Sequence, residues 1–155
     1  MRWNELEDEA CSVARTVSVI GDRWTLLILR DAFLRVRRFE EFERRLGITR
    51  HILADRLKKL VAAGVLARVA YQQRPKRYEY RLTDKGLDLN AILLAIVHWG
   101  DVHMAGEAGR PKLYQHRDCG NLFDPVVSCS ACGGAITARN VRVLDGPGAA
   151  AANDA

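Results

Sequence analysis

Residues 48–65, ITRHILADRLKKLVAAGV, admit few folds, because they pair a narrow apolar stripe with a basic free face at helical spacing. Leu53, Leu57, Leu60 and Val61 recur at i, i+4, i+7 and i+8 and so fall on one side of a helix. Thr49 stands where an N-cap belongs, and Gly64 can take the left-handed conformation that ends a helix. His51, Ile52, Asp55, Lys58 and Lys59 occupy the opposite face. Donors and one bare aliphatic side chain near the start suit a helix lying in a DNA major groove, where they reach base edges, phosphates and a thymine methyl. Taken alone the segment reads better as a solvated helix face, so its neighbours have to discriminate.

Just upstream, residues 39–46 (FEEFERRL) place Phe39, Phe42 and Leu46 on one face, and Gly47 ends them. Two short helices joined so tightly make a helix-turn-helix. Residues 9–20 predict a first helix stopped by Gly21. Asp22 is placed to cap a second over residues 23–34 (RWTLLILRDAFL), which is apolar almost all round and is the expected central buried element. Downstream the period changes from 3.6 to 2. Residues 65–71 (VLARVAY) and 77–83 (RYEYRLT) predict a hairpin whose QQRPK connection carries Arg74, Lys76 and Arg77 around a stiffening Pro75. The predicted fold class is mainly α with a small β-hairpin wing, a winged helix-turn-helix, plus a small C-terminal ribbon-like appendage.

Charge distribution points the same way. The 155 residues carry a net +5, yet from Arg35 to Arg81 fourteen Arg/Lys stand against five Asp/Glu, which leaves the remainder acidic. That asymmetry favours a polyanion partner, double-stranded DNA. The candidate contact set is Arg38, Thr49, Arg50, His51, Ile52, Asp55, Arg56, Lys58 and Lys59, with Arg74, Lys76 and Arg77 from the wing.

Thr83 and Asp84 then open what reads as one helix to about Met104. Its middle, residues 91–97 (AILLAIV), is apolar on every side, more than a protomer this small is expected to cover, which predicts a homodimer seam here. A two-fold dimer would present its recognition helices to half-sites about one helical turn apart, or a multiple of it. His98 and His103 do not stack on one face and read as exposed or touching the appendage. The acidic flank of the N-terminus lacks an apolar targeting core, and no apolar run reaches bilayer length, so a cytoplasmic protein without a membrane partner is expected.

Several stretches together resemble the HxlR-type winged-helix transcriptional regulators. They are Cys11-Ser-Val-Ala-Arg15, Ile20 to Arg30 (IGDRWTLLILR), Arg38-Phe-Glu-Glu-Phe42, Leu53-Ala-Asp-Arg-Leu57, Tyr78 to Gly86 (YEYRLTDKG) and Trp99-Gly100, spread over residues 8 to 105. The resemblance implies a homodimeric repressor or activator on an inverted-repeat operator, open to a small-molecule effector. Arg50 stands where members of the family often have proline, and Ala54 where serine or threonine is common. Cys11 matches a cysteine that senses electrophiles or oxidants in many members, which makes it a redox candidate. The alternative for a helical cysteine is a small buried hydrophobe.

Past Gly106 the composition turns to Gly, Pro and short polar pieces. The expected organisation is therefore a DNA-binding and dimerisation domain over 1–105, a Cys/His extension over 106–144 and a disordered tail over 145–155. Two ligand-x-x-ligand knuckles, His116 with Cys119 and Cys129 with Cys132, are each followed by glycine, a spacing that suits a structural zinc ribbon. Free or oxidatively paired thiols are the alternative. Four protein ligands would leave no open position for water, and no nucleophile–base or paired-carboxylate constellation accompanies them, so an enzyme is not expected. A zinc-containing interaction module without sequence-specific DNA binding is the remaining reading from another class.

Overall fold

The computed structural model describes residues 6–149 and divides into two compact units between Asn90 and Ala91. The first contains α1 (Ser12–Ile20), α2 (Arg23–Phe33), α3 (Phe39–Leu46), α4 (Arg50–Ala62), β1 (Leu66–Gln73), β2 (Lys76–Leu82) and the single turn α5 (Asp84–Leu87). α6 (Asn90–Met104) therefore goes with the C-terminal segment, whereas the sequence pattern sets the boundary at 105/106. Residues 1–5 and 150–155 lie outside the described part, and with them the extreme N-terminus and most of the expected tail.

Asp22 caps α2 as its sequence position suggests: its Oδ1 accepts from the amides of Trp24 (3.0 Å) and Thr25 (3.2 Å). α2 buries Ile28, Leu29 and Ala32, which meet Phe42 of α3 and Leu53, Leu57 and Leu60 of α4 in one apolar core. The other side of α2 is half-covered, so it is central without being buried all round. It also carries a feature that its apolar pattern hides. Asp31 is fully buried and is held by Arg30 (2.9 Å) and Arg45 (3.0 Å), which bring their aliphatic stems to the core edge while staying about half exposed.

The helix ends are set by local chemistry. At the start of α3 the Glu41 carboxylate accepts from the Arg38 amide at 3.3 Å, and Gly47 closes the helix at φ 60°. At the end of α4 the amides of Gly64 and Val65 return to the carbonyls of Val61 and Leu60, with Gly64 at φ 70°. This six-to-one and five-to-two pair is a Schellman closure, and buried Val65 and Leu60 complete it. α2 closes the same way through Arg35 and Val36, with Arg35 in the left-handed region at φ 66°.

β1 and β2 pair antiparallel from Leu66↔Leu82 to Gln73↔Lys76, with a bulge between Ala70 and Gln72. β1 thus runs two residues and β2 one residue further toward the tip than their alternation suggests, and only Arg74 and Pro75 remain as the turn. The Tyr80 amide donates to the Arg37 carbonyl at 2.8 Å and ties the hairpin to the chain entering α3.

The single helix expected over 84–104 is two. A Cβ on Gly86 would sit 2.2 Å from the Val65 carbonyl oxygen, so that backbone approach is possible only for glycine. Thr83 caps the turn by accepting from the Gly86 amide at 3.1 Å, and the Leu89 amide then reaches Gly86, three residues back, rather than Lys85. The ladder tightens and stops before α6 begins. Beyond α6, residues 105–149 form turns and two isolated bridges, Gln115↔Leu122 and Ser128↔Ala135.

Candidate nucleic-acid interface

α4 has its buried stripe on Leu53, Leu57 and Leu60, and this fixes which side chains remain outside. Thr49 holds the N-cap position and is exposed, but its hydroxyl makes no cap hydrogen bond and stays available. His51 is exposed, Ile52 is half-buried, and Lys58 and Lys59 are exposed. Arg50 lies over the Phe39 ring at 4.7 Å and pairs with Glu43 at 2.7 Å, which holds its guanidinium across the helix-turn-helix corner.

One member of the expected contact set, Arg56, turns inward instead. Arg56 places Nε 2.9 Å from Asp22 Oδ1 and Nη1 2.6 Å from Asp55 Oδ2, so its guanidinium joins α4 to the cap of α2. Lys59, at 3.1 Å, also pairs with Asp55. The Lys59 hydrogen bond does most to hold the Asp55 carboxyl below its ordinary value, against the upward pull of desolvation, with both cations assisting. This network orients the helix and neutralises its one carboxylate, which would otherwise repel phosphate.

The wing supplies the second part of the surface. Arg74, Lys76 and Arg77 are exposed at its tip. Behind them a groove of about 670 Å³ runs between the start of α3 and the hairpin, lined by Arg38, Arg44, Arg68, Lys76 and Arg77 with Tyr71, Tyr78 and Tyr80 and with only Glu40 and Glu41 opposing. Arg68 lies over Tyr78 at 3.7 Å and Arg38 over Tyr71 at 4.7 Å, so these guanidiniums are pre-positioned by ring faces rather than by carboxylates. Arg44 and Arg68 were absent from the sequence-based set. Strand alternation with the wing tyrosines was the signal that could have included Arg68.

Cys11 is exposed at the N-cap of α1, and Arg15, the cation one turn away, donates Nε to the Glu9 carbonyl at 2.7 Å. In the C-terminal unit His98 Nδ1 is buried without a hydrogen bond, 3.7 Å from Asp124, and the His103 ring lies 5.1 Å from that of Trp99. His116 Nδ1 lies 3.4 Å from Cys119 Sγ. The Cys129 thiol is held below its ordinary value chiefly by the Ala131 amide, then by the Cys132 amide and thiol.

The profile of the HxlR-like helix-turn-helix family matches residues 19–108. The chain is 47% identical over 140 residues to the HTH-type transcriptional regulator Rv3095 of Mycobacterium tuberculosis, covering 90% of this chain and 89% of that protein. It is 34% identical to the HTH-type regulator YybR of Bacillus subtilis over 75% of this chain and 89% of the other. Among solved structures, PA1607, a candidate transcription factor, superposes with a TM-score of 0.80 at 38% identity, covering 89% of this chain and 96% of that one. The reduced form of the redox regulator HypR superposes with a TM-score of 0.55 at 34% identity, over 59% of this chain and 92% of its own. These likenesses bear out the winged helix-turn-helix fold. No helix among the described residues is long and apolar enough to cross a membrane.

Proposed function

From membership of the HxlR-like helix-turn-helix family of transcriptional regulators, to which this chain belongs, we propose a homodimer that reads an inverted-repeat operator with α4 and grips the flanking phosphates with the wing. The observation that carries this reading is the division of labour on one surface. His51, Ile52 and Thr49 lie free at the start of α4, while Arg38, Arg68, Lys76 and Arg77 line a separate basic groove beside it. Side chains near the start of a recognition helix read base edges, and cations on a wing hold register without reading sequence. Arg56 serves as a positioning residue through Asp22 and Asp55, Lys59 helps to neutralise Asp55, and the exposed members of the contact set are assigned to DNA.

The second half of the reading is the dimer. α6 is apolar along most of its length and none of its residues is buried; Ile92, Ile96 and Trp99, at i, i+4 and i+7, are 39%, 47% and 60% exposed. A second copy of the same helix about a two-fold axis would cover that stripe.

Binding measured with and without random-sequence competitor DNA, across a salt series, tests the proposal. Replacing Arg74, Lys76 and Arg77 together by alanine should weaken all sequences alike and reduce the salt slope by about one unit per lost phosphate contact. Replacing His51 or Ile52 should shift base preference and leave that slope in place. Affinity and slope unchanged by the triple substitution would remove the wing from the interface.

A further inference from the structure

We propose that the C-terminal segment binds one Zn2+ per chain through His116, Cys119, Cys129 and Cys132, and that the ion holds together a region with no buried core of its own. The first observation is an internal repeat in the main chain. The bridge Gln115↔Leu122 recurs thirteen residues on as Ser128↔Ala135. The Phe123 amide donates to Tyr114 at 3.0 Å, and the Ile136 amide to Val127 at 2.9 Å. His116 N–H reaches the Asn121 carbonyl at 2.9 Å, and Cys129 N–H reaches that of Gly134 at 2.8 Å. The amides of Gly120 and Gly133 return to His116 and Cys129 at 2.8 and 2.7 Å, with the two glycines at φ 71° and 72°. The same turn is built twice, from sequences that share only the ligand positions and the glycine after them.

Side-chain chemistry at the two turns matches. His116 Nδ1 and Cys119 Sγ stand 3.4 Å apart, close to the separation of about 3.6 Å that a tetrahedral zinc imposes between a nitrogen at about 2.1 Å and a sulfur at about 2.3 Å. At the other turn Cys129 and Cys132 hold the equivalent positions, and Cys132 Sγ lies 3.4 Å from where a Cβ on Gly134 would stand. One nitrogen and three sulfurs form a closed donor set for zinc, and binding releases the thiol protons to water.

The second observation is what the region lacks. No residue from 106 to 149 is buried, and Leu122, Val126, Val127 and Val143 are 62%, 84%, 64% and 88% exposed. Two regular turns without apolar burial need another source of order. Each ligand pair is formed in its own turn, and among the described residues no three His, Cys, Asp or Glu side chains meet at one point. Drawing the two pairs together is the step assigned to the ion.

The test is metal analysis and limited proteolysis of the untagged full chain, purified under reducing conditions without chelator. About one zinc per chain is expected, and stripping it with a strong chelator should expose residues 106–144 to protease, with protection returning on adding Zn2+ alone. Cys129→Ser with Cys132→Ser should abolish retention. His116→Cys, which keeps four ligands, should preserve it, and so should His98→Ala and Cys11→Ser, which touch residues outside the set. The proposal is overturned by metal-free protein whose residues 106–144 resist protease, by zinc retained in the double serine variant, or by a Cys129–Cys132 disulfide in protein kept reduced. Loss of zinc in the His98→Ala variant alone would equally overturn the ligand set.

Discussion

Residues 6–90 and 91–149 hold similar kinds of side chain and use them differently. In the first region twelve apolar residues, from Ile20 to Leu66, are buried, and five of them, Ile28, Leu29, Phe42, Leu53 and Leu57, are wholly so. In the second none is, although α6 is among the most apolar stretches of the chain. Apolar content therefore says how much surface wants covering, and only packing says whether the same chain covers it. Where a chain folds on itself the apolar stripe is narrow and has a polar back, as in α3 and α4. Where the apolar character runs all round, as in α6, the described chain leaves Ile92, Ile96 and Trp99 exposed.

The largest effect expected from this contrast is on stability. Phe42→Ala removes a fully buried ring from the contact of α2, α3 and α4 and should cost about 3–5 kcal/mol, enough to unfold a marginal domain. Val143→Ala, at a side chain that is 88% exposed, should change stability by less than about 0.5 kcal/mol. Urea unfolding of the two variants under the same conditions measures both. Comparable losses would mean that the C-terminal segment has apolar partners of its own.

A smaller and different effect is expected at α6. Ile96→Asp places a carboxylate in the middle of the exposed stripe, forfeiting roughly 2 kcal/mol of burial per copy if that stripe is the seam. Light scattering should then show monomers at concentrations where the parent is dimeric, and binding should fall to that of a single half-site. An unchanged dimer would place the seam away from α6 and leave its apolar face for some other partner.

Much of the first region was legible because its signals are local. The bounds of α3, the stops at Gly47 and Gly64 and the cap at Asp22 each follow from residues within one turn of the feature. What escaped depends on residues far apart in sequence. The close approach that admits only glycine at position 86 is made by Val65, twenty-one positions away. Arg56 reads as one more cation on a free face until Asp22, thirty-four positions upstream, claims it. Asp31 reads as a polar interruption of an apolar helix, and only the fold brings Arg45 to it. The wing was recognised from its alternation, but the bulge between Ala70 and Gln72 and the stacking of Arg68 on Tyr78 depend on register across the hairpin. In the C-terminal region the knuckle spacing was visible in sequence, and the repeat of its main-chain hydrogen bonds was not.

The smallest expected effect compares one type of ion pair in the two regions. Burial works to raise the Asp22 pKa, but the Arg56 hydrogen bond, the amides of Thr25 and Trp24 and the Arg56 charge outweigh it, so the carboxyl is held below its ordinary value. Asp124 is also held low, first by its hydrogen bond from Arg110. A carboxyl whose folded pKa is depressed contributes stability that is fully present above its unfolded pKa, near 4, and is lost as pH falls through the lower folded value. Asp22→Asn keeps an oxygen for the cap and removes the charge facing Arg56, so it should cost about 1 kcal/mol at neutral pH. The difference from the parent should close as pH falls below about 4. Asp124→Asn should leave the global unfolding curve unchanged at every pH, because that pair is exposed and joins no buried element. Denaturation followed from pH 7 to pH 3 for the two variants distinguishes these outcomes. An equal acid dependence would show that the Asp22–Arg56 link is as solvated as the surface pair and does not fasten α4 to the cap of α2.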